Sequence, residues 1–179
     1  MLLERHLPAF VADAHRALEL LERPSRAAED ATIDPLTGLA NRRTLGLALG
    51  RLGPEDTVVM IDLDHFKAIN ESLGQREGDN VLRLFGHTLS ATLRATDQVG
   101  RYGGEEFVVI LPANGAERFL ARLRIEWMRR RPYPVTFSAG LASARPDPGK
   151  ALPAADRALH RAKQSGRNRW ERAGEQDYR

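Results

Sequence analysis

The pattern of apolar positions predicts a helix at the start of the chain and a mixed α/β core after it. In residues 2–22 the apolar side chains recur three or four positions apart, which is typical of an amphipathic helix. Pro24 ends or kinks this helix, and the small and polar residues up to Thr32 are typical of a linker. Two roles stay open for the helix: it packs on its own domain, or it forms a short dimerising coiled coil.

Beyond Thr32 the pattern alternates between helical and strand periodicity. Helices are predicted after an Asn41 cap, at 65–70 and 78–93, and around 116–127 and 152–162. Strands are predicted at 57–63, 98–102, 106–111, 134–141 and 168–171. The central βαββαβ order predicts an α+β fold of the ferredoxin-like type, with a mostly antiparallel sheet and helices on one face.

The first predicted strand ends in two carboxylates. Its sequence TVVMIDL (57–63) is apolar up to Asp62, which is typical of a strand buried on both faces. Asp62 and Asp64 are two positions apart, so both side chains are expected to point the same way. Two interpretations stay open from these residues alone: the pair holds a hard cation such as Mg²⁺, or it caps the helix that follows.

A second acidic motif, Gly103-Gly104-Glu105-Glu106, lies between two predicted strands. Its glycines permit a tight hairpin and let a ligand approach the backbone; alone, the motif equally fits a solvated turn. In a βαββαβ sheet the first strand lies beside this hairpin, which would bring Asp62 next to Glu105. Acidic pairs of this kind bind two Mg²⁺ ions in phosphoryl and nucleotidyl transfer.

Composition and charge narrow the possible classes of site. The chain has 179 residues, enough for one domain, and no cysteine, which excludes disulfides, Cys-ligated metals and thiol nucleophiles. It holds 24 Arg but only 3 Lys, and its net charge of +3 is too small to require nucleic acid as a partner. No apolar run is long enough to span a membrane and no signal peptide is evident, so we expect a soluble, cytoplasmic protein or a soluble piece of a larger one.

Four segments together resemble the GGDEF family of diguanylate cyclases. They are DPLTGLANRR (34–43), IDLDHFKAINESLGQREGDNVL (61–82), RATDQVGRYGGEEF (94–107) and ADRALHRAKQSGRN (155–168). The resemblance covers residues 32–172, which leaves 1–31 as helix and linker and 173–179 as a C-terminal tail. It implies a palm-like fold of the nucleotide cyclase type. It also implies an enzyme that condenses two GTP into cyclic di-GMP, releases two pyrophosphates and works as an antiparallel homodimer.

The resemblance also implies the metal and catalytic residues. Asp62, Glu105 and the backbone carbonyl of Leu63 would bind Mg²⁺ or Mn²⁺, and Glu105 is the expected base for the attacking 3′-hydroxyl. Glu106 is a third catalytic-site carboxylate with a less defined role. Glutamate in place of aspartate at the third position of the motif is compatible with activity, because either carboxylate can bind Mg²⁺.

Five residues match family positions that contact phosphates. Backbone amides of His65 and Phe66, at a helix start, would bind the β- and γ-phosphates beside Lys67. Lys163 and Arg167 would hold the terminal phosphates; without the other motifs, they would fit a solvated helix end equally well.

Asn70 and Asp79 match the positions that bind the guanine base, which explains a preference for GTP over ATP. Three positions depart from the common family pattern: Glu71, Gln75 and His160. None of the three is an expected metal ligand, so none argues against activity.

Arg94 and Asp97 match the family's RxxD inhibitory site, where they would bind the product cyclic di-GMP. The alternative function is a non-catalytic cyclic di-GMP receptor that uses this site alone, against which the intact acidic motifs argue. A nucleic-acid-binding module finds no support beyond charge, since aromatic residues make up only 6% of the chain. Whether a sensory region lies upstream stays open.

Overall fold

The computed structural model describes residues 32–112 and 115–179. The predicted helix at 2–22 and its linker lie outside the described residues, so that helix and its coiled-coil role stay predictions. Over the two described ranges, no helix has the length and apolar character needed to cross a bilayer.

The described residues form helices and strands in nearly the predicted order. The helices are α1 (Arg42–Leu49), α2 (Phe66–Leu73), α3 (Gln75–Thr92), α4 (Ala116–Arg130) and α5 (Ala151–Gln164). The strands are β1 (Thr57–Leu63), β2 (Gln98–Gly103), β3 (Glu106–Leu111), β4 (Phe137–Ser143) and β5 (Trp170–Arg172). Short 3₁₀ helices span Pro148–Lys150 and Glu175–Tyr178.

The strands of the described residues form one sheet in the order β2-β3-β1-β4-β5. Neighbouring strands are antiparallel except β4 and β5, which are parallel. The ferredoxin-like βαββαβ order and the mostly antiparallel sheet are therefore confirmed. β1 is central, and all seven of its residues are buried.

Helices cover both faces of this sheet, so the prediction of helices on one face was wrong. We call one side the aromatic face: there α3 and α4 pack on alternate β1 residues such as Val59 and Ile61. On the other side, the alanine face, Val58 and Met60 pack with α1 and α5. A strand that is apolar at successive positions needs cover on both sides, because either face would otherwise expose apolar surface.

The C-terminal segment after β5 packs against α5. The carboxylate of Asp177, which is 3% exposed, accepts hydrogen bonds from Arg161 at 2.6 and 2.8 Å. The Tyr178 hydroxyl donates to the carbonyl of Ser143 at 2.7 Å. This C-terminal latch, residues 174–178, ties α5 to the end of β4.

Candidate functional site

The register of β1 and β3 places the acidic motifs together at one end of the sheet. Asp62 lies directly opposite Glu106, and the backbone N–H of Leu63 donates to the carbonyl of Glu105 at 3.4 Å. The predicted proximity of the first strand and the hairpin is thus present, with Glu106 as the register partner of Asp62 and Glu105 one residue further. Three carboxylates converge at this end of the sheet.

Burial and neighbouring charges disfavour ionisation of Asp62 and Glu106. The pKa of Asp62 is raised from its usual 3.8 to about 6, mainly by burial; the charges of Glu105 and Glu106 add to the rise, and Lys163 opposes it. Burial also raises the pKa of Glu106, and the charges of Asp156 and Glu105 add to that rise. A group of acids held at close range in this way attracts cations.

Lys163 reaches this acidic group from the end of α5. Its Nζ lies 2.7 Å from Oδ2 of Asp62, and the aspartate side chain is only 8% exposed. The sequence predicts Lys163 as a phosphate contact; the structure places it against an expected metal ligand. Lys163 therefore stands where it can exchange a carboxylate partner for a phosphate.

Asp64 has a different role from Asp62. Its carboxylate accepts hydrogen bonds from the hydroxyls of Thr136 and Ser138, both at 2.6 Å, and from the backbone N–H of Asn168 at 3.0 Å. His65, not Asp64, precedes the first residue of α2, and no side chain caps that helix. Of the two carboxylates, Asp64 fixes the loop after α5, and Asp62 is left to face the acidic group.

The donor set at this end of the sheet fits Mg²⁺ bound together with a nucleotide. No three carboxylate or imidazole side chains within residues 32–112 and 115–179 are grouped to hold a metal by themselves. Mg²⁺ commonly takes one or two carboxylates and completes its shell with water and phosphate oxygens. Asp62, Glu105 and the carbonyl of Leu63 would supply the protein's share of such a shell.

The hairpin that carries Glu105 is braced by Arg101, a residue that the sequence analysis did not single out. Gly104 has φ of +37°, and its carbonyl accepts a hydrogen bond from Arg101 Nε at 2.8 Å. The same guanidinium lies 3.2 Å from the carboxylate of Asp34, which also accepts hydrogen bonds from Thr37. This contact joins positions 67 residues apart in sequence, so no local pattern could reveal it.

Beside the hairpin lies a nucleotide-sized cleft of about 670 Å³. Five predicted site residues line it: Phe66, Lys67, Asn70, Asp79 and Glu105. The guanine-binding candidates therefore lie in the same cleft as an expected metal ligand.

The phosphate candidates differ in their position relative to this cleft: Lys67 lines it, and Arg167 does not. His65 adopts a left-handed conformation with φ of +57° just before α2. The N–H groups in the first turn of this helix take no part in its i→i−4 hydrogen bonds. Lys67 is 87% exposed and forms an ion pair with Glu71 at 3.6 Å. Arg167 is exposed in the loop after α5 and does not line the cleft.

Arg94 and Asp97 line a separate, small cleft. Asp97 accepts a hydrogen bond from the backbone N–H of Arg94 at 2.8 Å, so the two residues form a compact turn. Arg118 and Arg122 from α4 line the same cleft. The sequence analysis missed these two arginines, although their i,i+4 spacing on a helix places them on one face.

The family profile described as "Diguanylate cyclase, GGDEF domain" matches residues 31–169. The chain belongs to the GGDEF family. Two relatives are the "Diguanylate cyclase DgcP" of Pseudomonas aeruginosa, 39% identical over 161 residues, and the "Probable diguanylate cyclase DgcC" of Escherichia coli, 36% identical over 173 residues. The alignments cover 80% and 87% of this chain but 24% and 47% of those proteins, so the chain spans at most about half of their length.

A solved GGDEF domain has the same fold. The GGDEF domain of DgcB from Caulobacter crescentus, solved in complex with c-di-GMP, matches with a TM-score of 0.74 and 32% identity. The match covers 80% of this chain and 96% of that one. The predicted resemblance and the palm-like fold are confirmed, and the alignment leaves the residue roles as predictions.

Proposed function

We propose that this GGDEF domain condenses two GTP molecules into cyclic di-GMP and releases two pyrophosphates, as a Mg²⁺-dependent homodimer. The observation that carries the proposal is the convergence of Asp62, Glu105 and Glu106 beside a cleft of nucleotide size. The relatives named as diguanylate cyclases support the same activity.

Glu105 would accept the proton that the reaction releases. The 3′-oxygen of one GTP attacks the α-phosphorus of the other, so a new P–O bond forms while the bond to pyrophosphate breaks; the reciprocal attack closes the ring and releases the second pyrophosphate. The 3′-hydroxyl proton has to leave as this bond forms, and the Glu105 carboxylate would accept it. Mg²⁺ bound at Asp62, Glu105 and the Leu63 carbonyl would neutralise triphosphate charge and polarise the α-phosphorus.

Asn70 and Asp79 would select guanine by accepting hydrogen bonds from its base edge. Guanine presents N1–H and N2–H₂ donors, which adenine lacks at that edge. Asp79 is half-buried and offers carboxylate acceptors, and Asn70 offers an amide oxygen on the same cleft wall. A site built from acceptors rejects a base that cannot donate, because its polar groups are then left unpaired.

Positive groups around the cleft would hold the triphosphate. The first turn of α2 offers backbone N–H groups and a positive helix-dipole end. Lys67 adds a charge on that helix, and Lys163 stands beside Asp62. Arg167, exposed on the neighbouring loop, would join them when a phosphate lies within its reach.

The test of the catalytic proposal is incubation of the protein with GTP and Mg²⁺, followed by nucleotide chromatography. Glu105→Ala should abolish cyclic di-GMP formation while the circular dichroism spectrum stays unchanged. Glu117→Ala is the matched control, because Glu117 is 59% exposed and forms its ion pair with the surface residue Arg172. Full activity of Glu105→Ala would contradict the assignment of Glu105.

We propose that the cleft of Arg94 and Asp97 binds cyclic di-GMP as a feedback inhibitor. The cleft combines a carboxylate that can accept from guanine with the guanidinium groups of Arg94, Arg118 and Arg122, which suit phosphates. Arg94→Ala should relieve product inhibition in a titration with cyclic di-GMP. Arg83→Ala, on the exposed surface of α3, should leave it intact.

A second candidate function is a receptor that binds cyclic di-GMP at this arginine-rich cleft without turnover. The observation that favours it is the separate lining of the cleft, which shares no residue with the acidic site. Equilibrium binding of cyclic di-GMP together with a complete lack of product from GTP would establish it. Product formation from GTP would exclude it.

A further inference from the structure

Gly78 lies where the amide of Asn70 meets α3. A Cβ atom at position 78 would stand 1.9 Å from Asn70 Oδ1 and 3.0 Å from its Cγ, and 3.1 Å from Cζ of Phe66. Contacts below 3.0 Å are excluded by van der Waals radii, so any side chain at this position would push the Asn70 amide aside. The missing side chain thus creates a notch in α3 that accommodates the amide.

The amide in this notch is partly unpaired. Among residues 32–112 and 115–179, Asn70 Oδ1 is the one buried side-chain polar atom without a hydrogen-bond partner. Buried polar atoms are almost always paired, so an unpaired one in a ligand cleft indicates a group that a ligand completes.

Glycine is a poor choice at this point of a helix unless packing requires it. Gly78 lies inside α3, is buried, and forms ordinary helical backbone, since its φ is not positive. Alanine would be the better helix former there. The observed glycine is therefore explained by the space that Asn70 occupies rather than by backbone conformation.

We infer that Gly78 is a positioning residue that sets base selectivity: its notch fixes the Asn70 amide against the cleft, beside Asp79, for a purine with hydrogen-bond donors at N1 and C2. The inference rests on the proposed function, since it concerns the base of the nucleotide in the same cleft. Gly78 does not line the cleft and would act through Asn70.

The test measures binding rather than turnover. The ligands are the α,β-methylene analogues of GTP, ITP and ATP, in which the α–β bridge blocks release of pyrophosphate. Their affinities for the full chain with Mg²⁺ are measured by calorimetry. Gly78→Ala should weaken the guanine analogue about tenfold, the effect of one lost hydrogen bond, while the adenine analogue binds as before. Inosine lacks the C2 amino group, so the guanine-to-inosine ratio should also fall.

Gly46→Ala is the matched control. Gly46 lies inside α1, and a Cβ there would meet nothing within 4 Å. It should leave all three affinities unchanged. A structural defect caused by any Gly→Ala change would lower the three affinities together, whereas a positioning role changes their ratio.

A double-mutant cycle tests whether Gly78 acts through Asn70. In the Asn70→Ala background, where the clashing amide is gone, adding Gly78→Ala should leave the guanine-to-adenine ratio unchanged. Should Gly78→Ala alone fail to fold, recovery of folding in the double variant supports the inference, and failure of both variants to fold overturns it.

The outcomes separate the inference from the function on which it rests. Loss of guanine preference in Gly78→Ala, absent from Gly46→Ala, supports the inference. A guanine preference that survives Gly78→Ala overturns the inference and leaves the proposed function standing. A lack of guanine preference in the unsubstituted chain overturns the proposed function and the inference with it.

Discussion

The two faces of the sheet are covered in different ways. On the aromatic face, the ring of Phe85 packs edge-on against those of Phe107 and Trp127 at centroid distances of 5.1 and 4.9 Å. On the alanine face, Gly140 of β4 meets α5 so closely that a Cβ there would lie 2.0 Å from the carbonyl oxygen of Ala155. Bulky rings fill one face, and the backbones approach directly on the other.

The two faces contribute to different properties: the aromatic face to the stability of the fold, and the alanine face to the position of α5 at the site. The aromatic face buries the largest apolar side chains, which contribute most to the free energy of unfolding. The alanine face contributes less apolar area, but its close packing brings the end of α5 to the sheet. Lys163 reaches Asp62 for this reason. The position of Lys163 at the acidic site therefore depends on the alanine face more than on the aromatic face.

Trp127→Ala removes a ring from the aromatic face, and of the three substitutions it should lower the free energy of unfolding the most. It removes a fully packed ring and the hydrogen bond from Nε1 to the carbonyl of Val135 at 2.8 Å, which should cost about 3–5 kcal/mol. Urea unfolding measures this loss. Trp170→Ala, at a half-buried position, is the control and should cost less. Equal losses in the two variants would contradict the expectation that the aromatic face contributes most to the free energy of unfolding.

Gly140→Ala adds a methyl group between β4 and α5 on the alanine face. It should have a smaller effect on stability than Trp127→Ala but a large effect on activity. Overpacking against the backbone of α5 should cost about 1–3 kcal/mol. Because α5 has to move, Lys163 moves with it, and cyclic di-GMP formation from GTP should fall about a hundredfold. Gly46→Ala, with open space around it, should leave activity unchanged and should not lower stability, since alanine is the better helix former. A Gly140→Ala enzyme of normal activity would show that the close approach is dispensable.

Asp177→Asn tests the contact between α5 and the C-terminal latch, and its expected effect on stability is the smallest of the three substitutions. The hydrogen bond from Arg161 holds the pKa of Asp177 below its usual 3.8, so the ionised carboxylate stabilises the folded chain at neutral pH. That contribution is lost as the pH falls below 3.8 and through the folded-state pKa. The variant should lose about 0.5–1 kcal/mol at pH 7.

Thermal unfolding of both proteins as a function of pH checks the sign. The two stability curves should approach each other as the pH falls below 3.8 and converge below the folded-state pKa of Asp177, where its carboxylate is protonated in the folded chain as well. A constant difference between pH 7 and pH 3 would mean that the latch acts by packing rather than by charge.

Much of the fold could be predicted because local patterns determine it. The apolar run of β1, the Asn41 cap of α1 and the glycines of the hairpin each specify structure within a few residues. Asn41 indeed accepts a hydrogen bond from the N–H of Thr44. The covering of both faces was missed, although the unbroken apolar character of β1 already required it. The start of α3 at Gln75 was also missed, because Gly74 separates two helices within a single residue.

Site residues could be predicted only where they belong to a recognisable sequence motif. Five motif residues do line one cleft. The contact of Arg101 with Asp34, the pairing of Lys163 with Asp62 and the notch at Gly78 depend on long-range geometry, which no spacing along the chain encodes. The different roles of Asp62 and Asp64 have the same origin, since their partners come from distant segments.

The central place of β1 has a consequence for biosynthesis. Of the described strands, β1 leaves the ribosome first, yet its two neighbours, β3 and β4, are made later. Until then the apolar run 58–61 has two unpaired edges, which favours pairing between nascent chains. Charges flanking such a run oppose aggregation, and Asp56 on one side and Asp62 and Asp64 on the other bracket it. The acids at the end of β1 thus protect the nascent strand before they have any partner.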